Sequence, residues 1–248
     1  MTDLVLRAVF ENRGHTRAIK DGTLQIPGVS FDFVEVPRIN MAMSAVADRL
    51  EFDLGEITLV DYLMARQLGR PLVALPVFVN RNFSHQRIMY HTRSGIREPK
   101  DLEGKRVGVK SYTQTAPVWI RGILASEYGV DLERVTWVII EGSHVSGYRN
   151  PPNVEQAPPG KGLAEMLESG EIDAADDPGR PWSDRGESWK YDPNLIKPLI
   201  PNSQEAAADW YRRTGAYPIL HVLVVKRDVI AARPAIMREL FAAFTAAK

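Results

Sequence analysis

The chain has 248 residues, 44% hydrophobic and 25% charged, with 31 basic side chains against 31 acidic ones. That is enough for one large domain or two small ones, and the neutral balance gives no general support for nucleic-acid or anionic-membrane binding. The lack of cysteine excludes disulfides, thiolate metal sites and a cysteine nucleophile. No apolar run reaches the ~18 residues that span a bilayer, so no membrane partner is expected. Met1-Thr-Asp-Leu-Val-Leu-Arg7 has no basic region ahead of a long apolar stretch. It reads as a first strand and not a secretory signal, which makes a cytoplasmic location the expectation.

Leu4 to Phe10 alternates and predicts a strand. Glu11-Asn-Arg13-Gly-His15-Thr-Arg17 follows as a polar loop, with a short helix from Thr16 to Lys20. Arg13, His15 and Arg17 sit past the C-end of that strand, in reach of a ligand anion; the alternative is a solvated basic turn. Val29 to Val36 predicts a second strand with Phe31 and Phe33 inward, ended by Pro37, and Asn40 to Leu50 predicts a helix. Phe52 to Ile57 is a short strand. Thr58-Leu-Val-Asp61 has the form of a capping box opening a helix through Gly69. Glu56, at the strand's C-end, is an acid or base if burial raises its pKa, or a charge complement to the next helix N-terminus. Leu72 to Val79 is a strand interrupted by Pro76, which places it at an edge or bends it. Strands alternating with helices imply a parallel sheet covered on both faces, with the ligand crevice beside the strands' C-ends.

Arg81-Asn-Phe-Ser-His85-Gln-Arg87 gathers two arginines and a histidine around one aromatic. Ile88 to His91 is a strand, and Pro99 to Gly104 a turn and short helix. Lys105 to Lys110 then forms a strand with Val107 and Val109 inside. A polar loop, Ser111-Tyr112-Thr113-Gln114-Thr115, leads into an amphipathic helix to Tyr128 with Trp119, Ile120, Ile123 and Leu124 on one face. Thr115 is expected to cap that helix and Pro117 fits its first turn. Such a junction is where an α/β protein holds an anion, and Tyr112, Thr113, Gln114 and Thr115 would supply side-chain hydrogen bonds; the alternative is an ordinary turn. Arg121 is a weaker choice, a turn and a half into the helix where it can face solvent.

Val135 to Ile140 is a strand, and Glu141 to Gly160 a long loop in which His144 reads as solvated. Gly162 to Ser169 is a helix and Ile172 to Ala175 a strand. Asp173, Asp176 and Asp177 have no histidines at ligand spacing beside them, so no metal site is assigned. Asp177 to Trp182 is irregular. Ser203 to Arg213 is a helix closed by Gly215. Ala216 to His221 bends into an apolar strand, Val222 to Val225, and Val229 to Lys248 is helical with a break at Pro234. His221, beside Tyr217 and Pro218 at the entrance of this strand, is a better site candidate than His91 or His144; the alternative is a satisfied core histidine.

The order of motifs resembles the 4,5-dihydroxyphthalate decarboxylase family. The resembling pieces are Asp53-Leu-Gly-Glu56 with Tyr62-Leu-Met-Ala-Arg66, then Leu75-Pro-Val-Phe78 with Arg81-Asn-Phe-Ser-His85. Ser94-Gly-Ile-Arg-Glu-Pro99, Leu102-Glu-Gly-Lys-Arg-Val-Gly-Val109, Tyr112, Thr115-Ala116 and Val118-Trp-Ile-Arg-Gly-Ile-Leu124 continue the series. Tyr211-Arg-Arg-Thr-Gly215, Pro218-Ile-Leu-His221 and Lys226-Arg-Asp228 close it. The resemblance implies an α/β fold of the two-lobed periplasmic-binding-protein type II kind, related to NMT1/THI5-like proteins, with a ligand cleft between lobes. Lobe 1 would comprise 1–84 and 218–248, and lobe 2 would comprise 85–217. The segment from Asp176 to Trp182 departs from the family's pattern, and the chain stops inside its last helix where relatives run on.

The activity so implied is non-oxidative loss of CO₂ from a hydroxylated aromatic dicarboxylate such as 4,5-dihydroxyphthalate, with no cofactor. A hydroxyl para to the leaving carboxylate pushes electrons into the ring, an acid protonates the ipso carbon, and CO₂ departs as aromaticity returns. His85, His221 or Glu56 would be the proton donor. Arg81 and the loop from Tyr112 to Thr115 would bind the dianion, with Arg13, His15, Arg17 and Tyr217 as further substrate-binding candidates. The partner is a small aromatic dicarboxylate, and the resemblance allows a homo-oligomer. The rival reading is a non-catalytic aromatic-acid binding protein of the ABC-transporter substrate-binding type. A thiamine-precursor synthase ranks lower, because the chain lacks the cysteines associated with iron binding there.

Overall fold

A computed structural model describes residues 4–176 and 190–248, so the expectations for the first three residues, for Asp177 and for the stretch up to Trp182 lie outside the described residues. The chain divides into two compact units. Unit 1 comprises Met1–Asn82, His144–Tyr148 and Ile219–Lys248, and unit 2 comprises Phe83–Ser143 and Arg149–Pro218.

Unit 1 starts with β1 (Leu4–Val9), a short α1 (Arg17–Lys20) and β2 (Val29–Phe33), which ends three residues before the predicted limit. The helix expected over Asn40 to Leu50 is a 3₁₀ turn at Ile39–Ala42 followed by α2 (Met43–Ala47). Leu50, with φ 56°, adopts the left-handed conformation that helices avoid, and the chain turns there. Next come β3 (Leu54–Thr58), α3 (Leu59–Gln67) and β4 (Leu72–Arg81).

Unit 2 runs through β5 (Ile88–His91), β6 (Arg106–Val109), α4 (Thr115–Tyr128) and β7 (Thr136–Ile139). The predicted long loop after β7 contains β8 (Val154–Gln156). It also contains His144–Tyr148, which belongs to unit 1. Unit 2 continues with α5 (Leu163–Ser169), β9 (Ala174–Asp176), β10 (Ile196–Pro198) and α6 (Ser203–Thr214). The chain then returns to unit 1 with β11 (Ile219–Lys226), α7 (Arg227–Ala232) and α8 (Ile236–Ala246).

The five-stranded sheet of unit 1 has the order β2-β1-β3-β11-β4. β1 is parallel to β2 and β3, but β11 is antiparallel to both β3 and β4. The sheet is therefore mixed, not parallel as the alternation of elements implied. β11 enters through a bend after α6 and not through a helical crossover, and only a crossover forces parallel pairing. β4 lies at the edge, the first of the two outcomes Pro76 allows. Alternate residues of β11 serve opposite faces: Leu223 and Val225 join Leu240 and Phe244 of α8, whereas Val222 and Val224 join Val46, Met64 and Val145. Every residue of β3 is buried.

The six-stranded sheet of unit 2 has the order β10-β5-β9-β6-β7-β8. β9, β6, β7 and β8 run parallel, while β5 is antiparallel to both β9 and β10. Trp137, fully buried on β7, anchors one face with Val107, Ile120 and Leu124.

Candidate functional site

The most organised polar cluster of unit 1 forms where β3 ends. Glu56 is fully buried on β3, and His221 on β11 sits across the strand pair opposite Thr58, diagonal to Glu56. Glu56 Oε1 lies 2.6 Å from His221 Nδ1. From the loop after β1, Arg13 Nη1 donates to both Glu56 oxygens at 2.9 Å, and the backbone N–H of Glu11 donates to Oε2 at 2.9 Å. The loop is itself fixed by Thr16, whose hydroxyl donates to the Glu11 carbonyl at 2.7 Å and accepts from the Arg13 N–H at 2.8 Å.

Burial is the largest influence on Glu56 and would raise its pKa. The hydrogen bond and charge of His221, the charge of Arg13 and the N–H of Glu11 together outweigh it and hold the group at about 2. Glu56 is thus a carboxylate at neutral pH. The expectation that burial raises its pKa and makes it a proton donor is corrected: three donors from distant segments converge on the carboxylate and outweigh its burial. Arg13 also pairs with the exposed Glu11.

A second histidine–carboxylate pair sits on the same β3–α3 segment. Thr58 caps α3, its Oγ1 accepting the Asp61 N–H at 3.2 Å. Asp61 is fully buried, and its Oδ2 lies 2.9 Å from His144 Nδ1. His144, expected to be solvated, has a side chain only 13% exposed. Val145 beside it is buried in the apolar layer, and Ser146 joins Asp48 and Arg70 at 2.9 Å each. Sequence reasoning missed Asp61 and His144 because they are 83 positions apart; the one signal was the capping box, which marks Asp61 as a structured position.

The remaining candidates of unit 1 divide. Arg81 ends β4 beside Asn80, which pairs in register with His221. His15 is half-buried, and its Nε2 is buried without a hydrogen bond. Arg17 is exposed on α1.

Unit 2 holds His85, Tyr217 and the β6–α4 loop. His85 is buried among aromatics, with Trp210 at 5.5 Å and Phe83 at 6.2 Å between ring centroids. Burial lowers its pKa, against a weaker opposing pull from Glu127, so the ring is neutral near pH 7. Tyr217 lies against the same Phe83 at 4.9 Å. In the loop, Gln114 occupies the N-cap position without a side-chain cap, and Thr115 is the first helical residue and not the cap. Thr113 is buried, its Oγ1 3.3 Å from Ser111 Oγ. Tyr112 lies under the Arg121 guanidinium at 3.8 Å, and Arg121 Nη2 donates to the Tyr112 carbonyl at 2.7 Å. Arg121 is buried, contrary to the expectation that it faces solvent, because stacking on Tyr112 covers a weakly hydrated guanidinium. Of the acidic residues weighed for a metal, Asp173 accepts from the Arg106 N–H at 2.9 Å and Asp176 pairs with Arg87 at 2.6 Å.

Comparison with known proteins gives consistent results. The family model described as NMT1/THI5 like matches residues 23–148. A 4,5-dihydroxyphthalate decarboxylase of Comamonas testosteroni is 33% identical over 265 residues, an alignment that covers 100% of this chain and 76% of the relative. A protein of the same name from Pseudomonas putida is 33% identical over 221 residues, covering 86% and 83%. Among solved structures, the alkanesulfonate-binding protein SsuA of Xanthomonas axonopodis pv. citri, bound to MOPS, aligns with a TM-score of 0.56 at 16% identity, over 100% of this chain and 74% of that one. The periplasmic aliphatic sulphonate binding protein SsuA of Escherichia coli gives 0.57 at 15% identity, over 99% and 73%. These structures share the fold, an α/β architecture of the periplasmic-binding-protein type II kind.

Proposed function

The chain belongs to the 4,5-dihydroxyphthalate decarboxylase family, which is NMT1/THI5 like, and we propose on that footing that it removes CO₂ from a hydroxylated aromatic dicarboxylate such as 4,5-dihydroxyphthalate. The observation that carries this reading is the buried Glu56 carboxylate holding His221 by Nδ1. A carboxylate on one imidazole nitrogen fixes the tautomer and the ring plane and leaves Nε2 for proton transfer. In the imidazolium form, with Nδ1–H kept on Glu56, His221 delivers its Nε2 proton to the ring carbon that bears the departing carboxylate. The C–CO₂ bond then breaks, its electron pair returns to the ring and aromaticity is restored. His221 is reloaded from solvent, so the balance is one carboxylate and one proton consumed, one C–H bond and one CO₂ formed.

His221 suits the donor role better than the alternatives. Glu56 is ionised with a pKa of about 2, and burial keeps His85 neutral. Arg81, next to the residue that pairs with His221, supplies a planar fork for a substrate carboxylate. This chemistry draws on an electron-rich ring and needs no organic cofactor.

The test is incubation with 4,5-dihydroxyphthalate, following CO₂ release and the ultraviolet spectrum. Release of CO₂ that His221→Asn abolishes is the expected result. A rise in melting temperature with no CO₂ released by the unmodified protein overturns the reading in favour of a binding protein.

A further inference from the structure

The backbone of Arg13 is held on both sides. Its carbonyl accepts the N–H groups of Thr16 and Arg17 at 3.0 and 2.9 Å, and its own N–H donates to Thr16 Oγ1 at 2.8 Å. Thr16 is fully buried, and its hydroxyl donates to the Glu11 carbonyl at 2.7 Å. The loop is thus closed on itself, and it presents the Arg13 guanidinium and the Glu11 N–H to one carboxylate. Arg13 Nη1 and His221 Nδ1 both touch Glu56 Oε1, at 2.9 and 2.6 Å. The two nitrogens therefore lie within the ~4–6 Å over which one charge biases the protonation of another. A neutral donor would satisfy the carboxylate as well. What the guanidinium adds is a positive charge beside a ring that must itself be positive to give up a proton. Charged groups on the neighbouring elements are Glu11, which takes Arg13 Nη2, Arg81 at the end of β4, and Asp61 with His144 beyond Thr58. Asp53 and Lys226 pair with each other at the opposite end of β3.

We infer that Arg13 is a positioning residue of the proposed reaction: it shares the Glu56 carboxylate with His221 and so sets how readily His221 releases its proton. The inference rests on the decarboxylase reading. A buried carboxylate committed wholly to an imidazolium holds that ring charged and makes a poor acid of it. Arg13 takes part of the carboxylate charge through both Glu56 oxygens, and its own cation acts against the imidazolium directly. Nδ1–H stays on Glu56, and Nε2–H becomes the stronger acid, which favours transfer to the ipso carbon. No step is added, so the bonds made and broken and the proton balance are unchanged. Glu11 works in the opposite direction, because its exposed carboxylate draws on the same guanidinium.

The experiment measures kcat on 4,5-dihydroxyphthalate against pH and, in parallel, follows the titration of the His221 ring by NMR, its signal assigned by loss in His221→Asn. Arg13→Gln is expected to lower the kcat plateau by about three- to tenfold with KM little changed. The same variant should move the alkaline limb of the profile, and the ring titration with it, up by about one to two pH units. Arg13→Lys keeps the charge and should return the limb to within about half a unit of the unmodified protein. Glu11→Gln, a change at the surface, should move limb and ring titration down by a smaller amount. A limb and a ring titration that Arg13→Gln leaves within about 0.3 unit, or a raised KM with an unmoved limb, as loss of a substrate anchor would give, overturns the inference. Should Arg13→Gln melt early, Glu11→Gln decides: a limb that stays or rises overturns it. An unmodified protein that releases no CO₂ overturns the decarboxylase reading itself, and the ring titrations then still test the hold of Arg13 on His221.

Discussion

Glu56 Oε1 and His221 Nδ1 are 2.6 Å apart although 165 residues separate them in the chain. They meet because β11 runs back antiparallel beside β3, with Leu223 opposite Glu56 and His221 opposite Thr58. Residues two apart on a strand share a face, so His221 and Glu56 become diagonal neighbours at the end where β3 gives way to α3.

Replacing His221 with Asn removes the proton donor and should lower kcat by about 10²–10⁴-fold with a modest effect on KM. Glu56→Gln leaves the ring in place but without its charged anchor, and should cost less than His221→Asn. His85→Asn should cost less than either, because burial already keeps that ring neutral. Steady-state CO₂ release by the three variants orders them.

Glu56 also ties stability to pH. Its folded pKa of about 2 lies below its ordinary 4.5, so its contribution is fully present above about pH 4.5 and is lost as pH falls toward 2. The shift corresponds to about 3 kcal/mol. Denaturant titrations of the unmodified protein and Glu56→Gln between pH 7 and pH 2 should converge as the pH drops, and parallel curves would refute the linkage.

Gly55 packs against α2 so closely that a Cβ there would meet Val46 Cγ1 at 2.5 Å and Cγ2 at 2.7 Å. Gly55→Ala should destabilise unit 1 by about 1–3 kcal/mol through overpacking. Adding Val46→Ala should recover part of that loss, as contacting residues couple. Urea unfolding of the single and double variants measures both terms.

In unit 2, Arg87 and Asp176 form a bidentate pair, with Nε to Oδ1 at 2.6 Å and Nη2 to Oδ2 at 2.8 Å, and both side chains are nearly out of solvent. Arg87→Met strands the Asp176 carboxylate in the interior and should cost roughly 3–5 kcal/mol. Thermal and denaturant unfolding of that variant check it.

The α/β class and most elements are legible in the sequence because they rest on local signals. Thr58 with Asp61 announces the start of α3, Pro76 marks an edge strand, and Gly215 closes α6 with φ 67°. The reversal of β11 is not legible, since an apolar run such as Val222 to Val225 carries no direction. His221 and Glu56 can each be singled out by position, but their pairing depends on strand register and their protonation on three partners drawn from distant segments. Arg13 reads as a substrate anchor from its loop, and only the fold reveals Glu56 behind it. His144 fails for the same reason, because a polar loop hides the fact that Val145 is a core residue of unit 1.

Because β11 fills the place between β3 and β4 from a segment synthesised long after both, the order of synthesis matters. A ribosome adding about 5–20 residues per second needs roughly ten to thirty seconds to travel from Glu56 to His221. Throughout that interval the nascent N-terminal strands have an open slot between β3 and β4, lined by Leu54, Ile57 and Leu75. The emerging chain therefore exposes an apolar, unpaired strand edge until β11 pairs with both β3 and β4.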